Sequence, residues 1–227
     1  GLEEIQKRLD GVETLFRQVI LRNNLKEYLK GIYDLERLAG RIGMGHANGR
    51  DLLALAQSIL HLPDIKWELM DQEDHLLREL GEEMDPLEEV FLLIDRAIRE
   101  DCPITIKEGG LLQEKYSQEL DQLKESIQEG QQWIASLESQ ERERTGIKNL
   151  KVGFNKVFGY YLEVTKSYYD AIPADYIRKQ TLVNGERFIT PQLKEMESVV
   201  LGAEAKINEL EYNLFVEIRE HIEKFIP

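Results

Sequence analysis

Two heptad-spaced helices bracket a stretch of different character, and this arrangement limits the fold most. On the N-terminal side Tyr116, Leu120, Leu123, Ile127, Gly130, Ile134 and Leu137 alternate steps of four and three. On the C-terminal side Met196, Val200, Ala203, Ile207, Leu210 and Leu214 repeat the alternation, continuing less cleanly through Ile218 and Phe225. Such spacing keeps one apolar stripe on each helix, and a striped helix must find a partner. Two stripes of similar length around one insert predict an antiparallel pair with the insert at its far end. Each helix spans 33 to 36 residues on this reading, roughly 50 Å at about 1.5 Å per residue.

The insert, residues 147–190, is rich in aromatic and β-branched side chains: Phe154, Val157, Phe158, Tyr160, Tyr161, Val164, Tyr168 and Tyr169. That is strand composition. Lys151–Asn155 and Val157–Thr165 read as strands around a turn, and Tyr168–Tyr176 as a loop or short helix. Ile177–Val183 and Arg187–Ile189 read as two more strands joined at Asn184-Gly185, a dipeptide suited to a tight hairpin. Alternation puts Val152 and Phe154 on one face and Lys151 and Gly153 on the other; Arg178 and Gln180 share a parity, Lys179 and Thr181 the opposite one. Pro191 opens the last helix, where a missing N–H costs little.

The first 100 residues read as helices separated by Gly, Pro, Asn or Asp. Leu2, Ile5, Leu9, Val12, Leu15, Phe16, Val19 and Ile20 predict a helix over 2–30 with one buried face. Asp34 starts a second helix, Asn48 caps a third (Arg50–Leu62), and Pro63-Asp64 breaks it. A further helix lies within Ile65–Gly81 and another over Leu87–Arg99. Residues 101–110 are extended. The expected fold is mainly α, a helical core with two long antiparallel helices carrying a small β-rich insertion at the tip. Its division is 1–146, helical core with the first long helix; 147–190, β-rich insert; 191–227, second long helix returning to the core.

Charge separates the insert from its surroundings. From Lys151 to Thr190 six basic residues face four acidic ones, whereas the whole chain carries −14. An acidic body disfavours general binding of nucleic acid, but a local cationic sheet does not. The basic residues of this segment are the ones able to meet a phosphate backbone. The alternative reading is a structural or protein-docking arm without DNA contact, its aromatics serving only the sheet's own core.

No catalytic constellation is visible, so no chemistry is expected of this chain. It has no phosphate-binding GxxxxGK[ST] loop, and His46, His61, His75 and His221 are scattered without metal-ligand spacing. The single cysteine, Cys102, fits a reducing cytoplasm and a structural role. No apolar run is long enough to span a bilayer, and no secretory leader is present. Opening on Gly1-Leu2 without methionine suggests an excised piece.

VGFNKVFGYYLEVTKS (152–167) followed by YIRKQTLVNGERFITPQLKEMES (176–198) closely resembles the clamp segment of the MutS family of mismatch-repair proteins. GIYDLERLAGRIGMGHANGRDLLAL (31–55) and the turn and helix at 108–120 resemble the same family's helical core. The resemblance implies a dimer that encircles mismatched double-stranded DNA, with long lever helices carrying a clamp across the duplex, and it makes Lys156, Lys166, Arg178, Lys179, Asn184 and Arg187 the candidates for contact with the phosphate backbone. The partners it implies are mismatched DNA, a second MutS protomer and, through the full-length protein, a MutL-type protein, in the cytoplasm and with no membrane. ATP and Mg would belong to an ATPase segment, and mismatch reading to a Phe-x-Glu segment, both outside this chain. Phe215-Val216-Glu217 matches those three letters but sits between heptad positions, a coincidence on this reading.

Overall fold

The computed structural model describes every residue from Gly1 to Pro227, and the chain divides into two compact units. The first comprises Gly1–Tyr116 with Glu211–Pro227, the second Ser117–Leu210. The second unit thus takes in one long helix, the sheet and most of the other long helix.

The first unit is helical. Its elements are α1 (Leu2–Arg17), α2 (Val19–Lys30), α3 (Leu35–Gly43), α4 (Gly49–Ile59), α5 (Leu62–Met70), α6 (His75–Glu83) and α7 (Glu88–Ala97), joined by the end of α9 (Pro191–Glu223). Side-chain caps set several starts. The Asp34 carboxylate accepts from the Arg37 amide, and Asn48 and Asp51 satisfy each other's backbone N–H groups in a capping box, each bond 2.9 Å. Asp74 caps α6 through the Leu77 amide, so Ile65–Gly81 holds parts of two helices rather than one. Pro63 lies in the first turn of α5, where it starts a helix as much as it ends α4.

Two buried charged groups of α9 anchor this unit. Glu211, 1% exposed, accepts from the amides of Gly110 (2.8 Å) and Leu112 (3.3 Å). Arg219 donates to the Ala47 carbonyl at 3.1 Å. Each satisfies backbone groups outside the helices.

The helix expected over 2–30 is broken at Gln18, and its apolar face is not buried. Leu2, Ile5, Leu9, Val12, Phe16, Val19 and Ile20 are all exposed. Instead α1 meets α6 on its opposite side, where buried Gly11 faces the Leu76 side chain. Periodicity identified the stripe correctly but could not say that the chain's own helices would leave it uncovered.

The second unit contains α8 (Gln118–Thr145), the sheet and the start of α9. Ser117 caps α8, so its 28 residues fall short of the expected length, while α9 has 33. Within the pair, an added Cβ on Gly130 would lie 2.5 Å from Val200 Cγ2 and 3.4 Å from Met196 Sδ. The small residue in the first seam therefore lets a turn of α9 press directly on α8.

The sheet is antiparallel, in the order β1–β2–β4–β3: β1 Lys151–Asn155, β2 Gly159–Thr165, β3 Ile177–Thr181, β4 Gly185–Ile189. A 3-10 turn, Lys166–Ala171, follows β2. Leu162, Val164 and Phe188 on one face share a core with Ile134, Leu137, Leu193 and Val200 of the two helices. Burying these side chains is the main force holding sheet to helices, at roughly 1.5–3 kcal/mol for each large apolar group.

Candidate nucleic-acid interface

The outer face of the sheet is built around a stacked cation. Lys151, Glu163, Arg187 and Gln180 form one lateral row across four strands, and Gly153 and Tyr161 pair in the adjacent row on the same face. An added Cβ on Gly153 would lie 2.5 Å from the Tyr161 Cζ, so glycine is what lets that ring lie across the strand. The Arg187 guanidinium sits 4.2 Å from the ring centroid. Its Nε donates to Glu163 and its Nη1 to Gln180, both at 3.0 Å. Arg187 is thus a structural cation, with its side chain only 22% exposed.

β3 departs from regular alternation. Arg178 pairs with Phe188 but Gln180 pairs with the adjacent Arg187, leaving Lys179 as an extra residue. This bulge corrects the expected parity: Arg178 and Gln180 fall on opposite faces, because Phe188 and Arg187 do. Arg178 then reaches Glu186, with an N–O distance of 3.5 Å.

The hairpin between β3 and β4 is also shifted from expectation. Thr181 pairs with Glu186, and the Leu182 amide donates to the Gly185 carbonyl at 2.8 Å. The turn residues are therefore Val183 and Asn184, with Gly185 inside β4. A Cβ at Gly185 would come within 2.6 Å of the Val164 carbonyl oxygen, so the glycine serves close strand approach rather than the turn.

The structure separates the candidate contacts into two ends. At one end the Lys166 amide donates to the Asn184 carbonyl, and Asn149 Nδ2 donates to Thr165 Oγ1 at 2.7 Å. Lys166 and Asn184 are thus neighbours, beside the connection that follows α8. At the other end, Lys156 occupies the β1–β2 turn, whose Asn155 Oδ1 accepts from Val157 N. That turn lies against α9, where Glu197 accepts from the Tyr160 amide at 2.8 Å. The length of β2, about 20 Å at some 3.4 Å per residue, keeps Lys156 from the Lys166–Asn184 end.

Pairing decides which cations are free. Glu163 engages Arg187, Glu186 engages Arg178, and Asp175 engages Arg144 at 3.3 Å. Lys156, Lys166 and Lys179 are exposed without an ion pair. Exposed Lys148 and Lys151 sit at the entry to β1, and neither is among the six sequence candidates. Their position just after a helix stop at Gly146, on the approach to a strand, was the available signal.

Beneath the sheet, Tyr176 donates to Glu141, and the Arg144 guanidinium lies 5.8 Å from its ring centroid. Burial and then the Glu141 hydrogen bond push the Tyr176 hydroxyl well above its ordinary range. The Arg144 guanidinium is raised by its hydrogen bond to Glu141. On α8, Glu138 accepts from the Val152 amide at 3.1 Å. One carboxylate from each long helix, Glu138 and Glu197, therefore holds a β-strand amide.

Elsewhere, His75 and His221 lie beside Glu79 and Glu89, on different helices. Burial pushes the Cys102 thiol up. Phe215 is fully buried in α9, where it packs the first unit's core. No helix is long and apolar enough to cross a membrane.

Residues 115–206 match the family model for MutS family domain IV. Over 217 residues the chain is 54% identical to a DNA mismatch repair protein MutS of Halothermothrix orenii, covering 96% of this chain and 24% of that protein. It is similar to proteins of the same name from Acetivibrio thermocellus (51%, all of this chain, 26% of the relative) and Ruminiclostridium cellulolyticum (52%, 96% and 25%). The chain spans about a quarter of the length of these curated relatives. The stretch that the family model matches holds the sheet and most of both long helices, and the identity extends through the helical first unit, so this chain belongs to the MutS family.

Proposed function

We propose that this chain is the core and clamp portion of a mismatch-repair protein, and that its sheet grips duplex DNA through backbone contacts without reading sequence. One observation carries the reading. The sheet's arginines are neutralised by Glu163 and Glu186, whereas Lys156, Lys166 and Lys179 stand exposed and uncompensated on an otherwise acidic chain. Flexible lysines of this kind suit phosphates at variable positions, and phosphate contacts fix a protein on any duplex.

On this reading Lys166, Lys179 and Asn184 supply the principal contacts, with Lys148 and Lys151 beside them, and Lys156 makes a separate one. Arg178 and Arg187 hold the sheet in shape. The two long helices act as antiparallel levers, an orientation supported by Gly130 facing Val200 while Glu138 and Glu197 both hold the sheet. They relay the clamp's state to an ATPase outside these residues, where ATP and Mg would bind. This chain performs no chemistry itself. Its partners are mismatched DNA and a second protomer, with a MutL-type protein engaged by the complete assembly.

Duplex binding at several salt concentrations tests the reading. With three to five phosphates contacted, log K falls against log salt with a slope of about −3 to −4.5. Replacing Lys166 and Lys179 with alanine flattens the slope by about 2, near one unit per contact. An unchanged slope rejects these lysines. Failure to bind any duplex, with a protein mapped to the sheet instead, favours the docking-arm alternative.

A further inference from the structure

Lys156 stands apart from the other proposed contacts, and its backbone is pinned from both sides. It opens the short turn between β1 and β2. On one side Asn155 Oδ1 closes the turn, accepting from Val157 N at 2.7 Å and from Phe158 N at 3.3 Å. On the other, Gly159 at φ 81° leads the chain into β2, and Glu197 of α9 accepts from the Tyr160 amide at 2.8 Å.

The sheet itself cannot make this second attachment. β2 pairs with β4 only from Leu162 to Thr165. The Lys166 amide points to the β4 side, where it donates to the Asn184 carbonyl, and Tyr160 has the same parity along the strand. The Tyr160 amide therefore faces that side too, beyond the last paired residue, and α9 supplies the acceptor that β4 lacks. Gly159 leaves the room for it, since an added Cβ there would overlap the Glu197 carboxylate. Burying a carboxylate costs free energy, and Glu197 is 8% exposed. It holds this one strand amide, with the exposed Lys194 of its own helix 3.6 Å away. Lys156 is exposed and without an ion pair, so only its backbone fixes where its ammonium can reach.

We infer that Glu197 is a positioning residue for the Lys156 phosphate contact, tying that contact to α9 while the sheet alone places Lys166, Lys179 and Asn184. The inference rests on the reading of the sheet as a grip on duplex DNA. It divides that grip into two parts, one of which follows α9.

Duplex binding by the chain, read by anisotropy between about 50 and 200 mM salt, tests this. Lys156→Ala should flatten the slope of log K against log salt by about 0.9, one contact. Glu197→Ala should flatten it equally, although loss of a negative charge would by itself tighten binding. Glu197→Asp keeps the charge but falls one methylene short of the amide. It should also flatten the slope, and it carries the test where the alanine variant fails to fold. Either change combined with Lys156→Ala should flatten the slope no further. Glu197→Gln, whose carbonyl can still accept from Tyr160, should keep the original slope. An unchanged slope in a folded alanine or aspartate variant, or additive losses in the double variant, would overturn the inference and leave the duplex grip standing. An unchanged slope in Lys156→Ala would overturn it by removing the contact to be positioned. Absence of duplex binding by the unaltered chain would reject the grip itself, and the inference with it.

Discussion

The Arg187 guanidinium lies 4.2 Å from the centroid of the Tyr161 ring while its Nε donates to Glu163, so one cation joins two neighbouring strands. A ring face and a carboxylate both favour the charge, and planar guanidinium can satisfy both together. Lysine cannot reproduce the arrangement. Arg187→Ala is expected to cost about 1–3 kcal/mol, because it leaves Glu163 and Gln180 without their donor. Lys179→Ala, on an exposed and unpaired side chain, should change stability by less than about 0.5 kcal/mol. Urea unfolding of the two variants distinguishes them, and equal costs would contradict the structural role given to Arg187.

Gly130 presents the opposite case, a position where less side chain gives more stability. Alanine would gain about 1 kcal/mol of helix propensity. Its Cβ would nevertheless lie 2.5 Å from Val200, a stiff β-branched side chain. Overpacking of this kind costs about 1–3 kcal/mol. Gly130→Ala should therefore lower the unfolding midpoint, and adding Val200→Ala should restore part of it. A more stable single variant would show that the helices separate freely there.

Glu197 holds the Tyr160 amide from α9 at 2.8 Å and is buried, 8% exposed as a residue. Glu197→Ala leaves that amide without its acceptor, at a cost of about 1–3 kcal/mol. Hydrogen exchange at Tyr160 should accelerate selectively, with the Leu162 amide in mid-strand little affected. Uniform acceleration across the sheet would mean that Glu197 supports the fold generally rather than this attachment.

Tyr176 links stability to alkaline pH. Its hydroxyl is raised from an ordinary value of 10.0 in the folded state, by burial and by the bond to Glu141. A raised pKa means that the unfolded chain loses the proton first. The contribution is complete below about pH 10 and declines above it, as deprotonation increasingly favours the unfolded state. Tyr176→Phe should flatten the fall in stability between about pH 9.5 and 11. An identical fall in both proteins would assign it to other groups.

Much of the fold was legible because its signals were local. Asp34 and Asn48 lie where helices begin, and β1 has the expected bounds. What escaped depends on residues distant in sequence. The bulge at Lys179 is visible only against β4, and the role of Gly185 only against Val164. Parity cannot report a register change, so Arg178 and Gln180 were given one face. Among the candidate contacts, residue type marked the basic segment, but only the structure shows Arg187 stacked and paired, Arg178 exposed beside Glu186, and Lys156, Lys166 and Lys179 without ion pairs. Buried Glu211 and Arg219 carry no sequence signal, since an acid and a base on a polar helix look like solvated charge.

The kink at Lys179 also bears on how crowded molecules behave. β3 is an outer strand of a four-stranded sheet, with its backbone open to any chain that approaches. A bulge there, flanked by Arg178 and carrying an unneutralised lysine, interrupts the even ladder that a foreign strand would need. Two such sheets brought side by side can slide past each other instead of zipping into a common one, so proximity does not become aggregation.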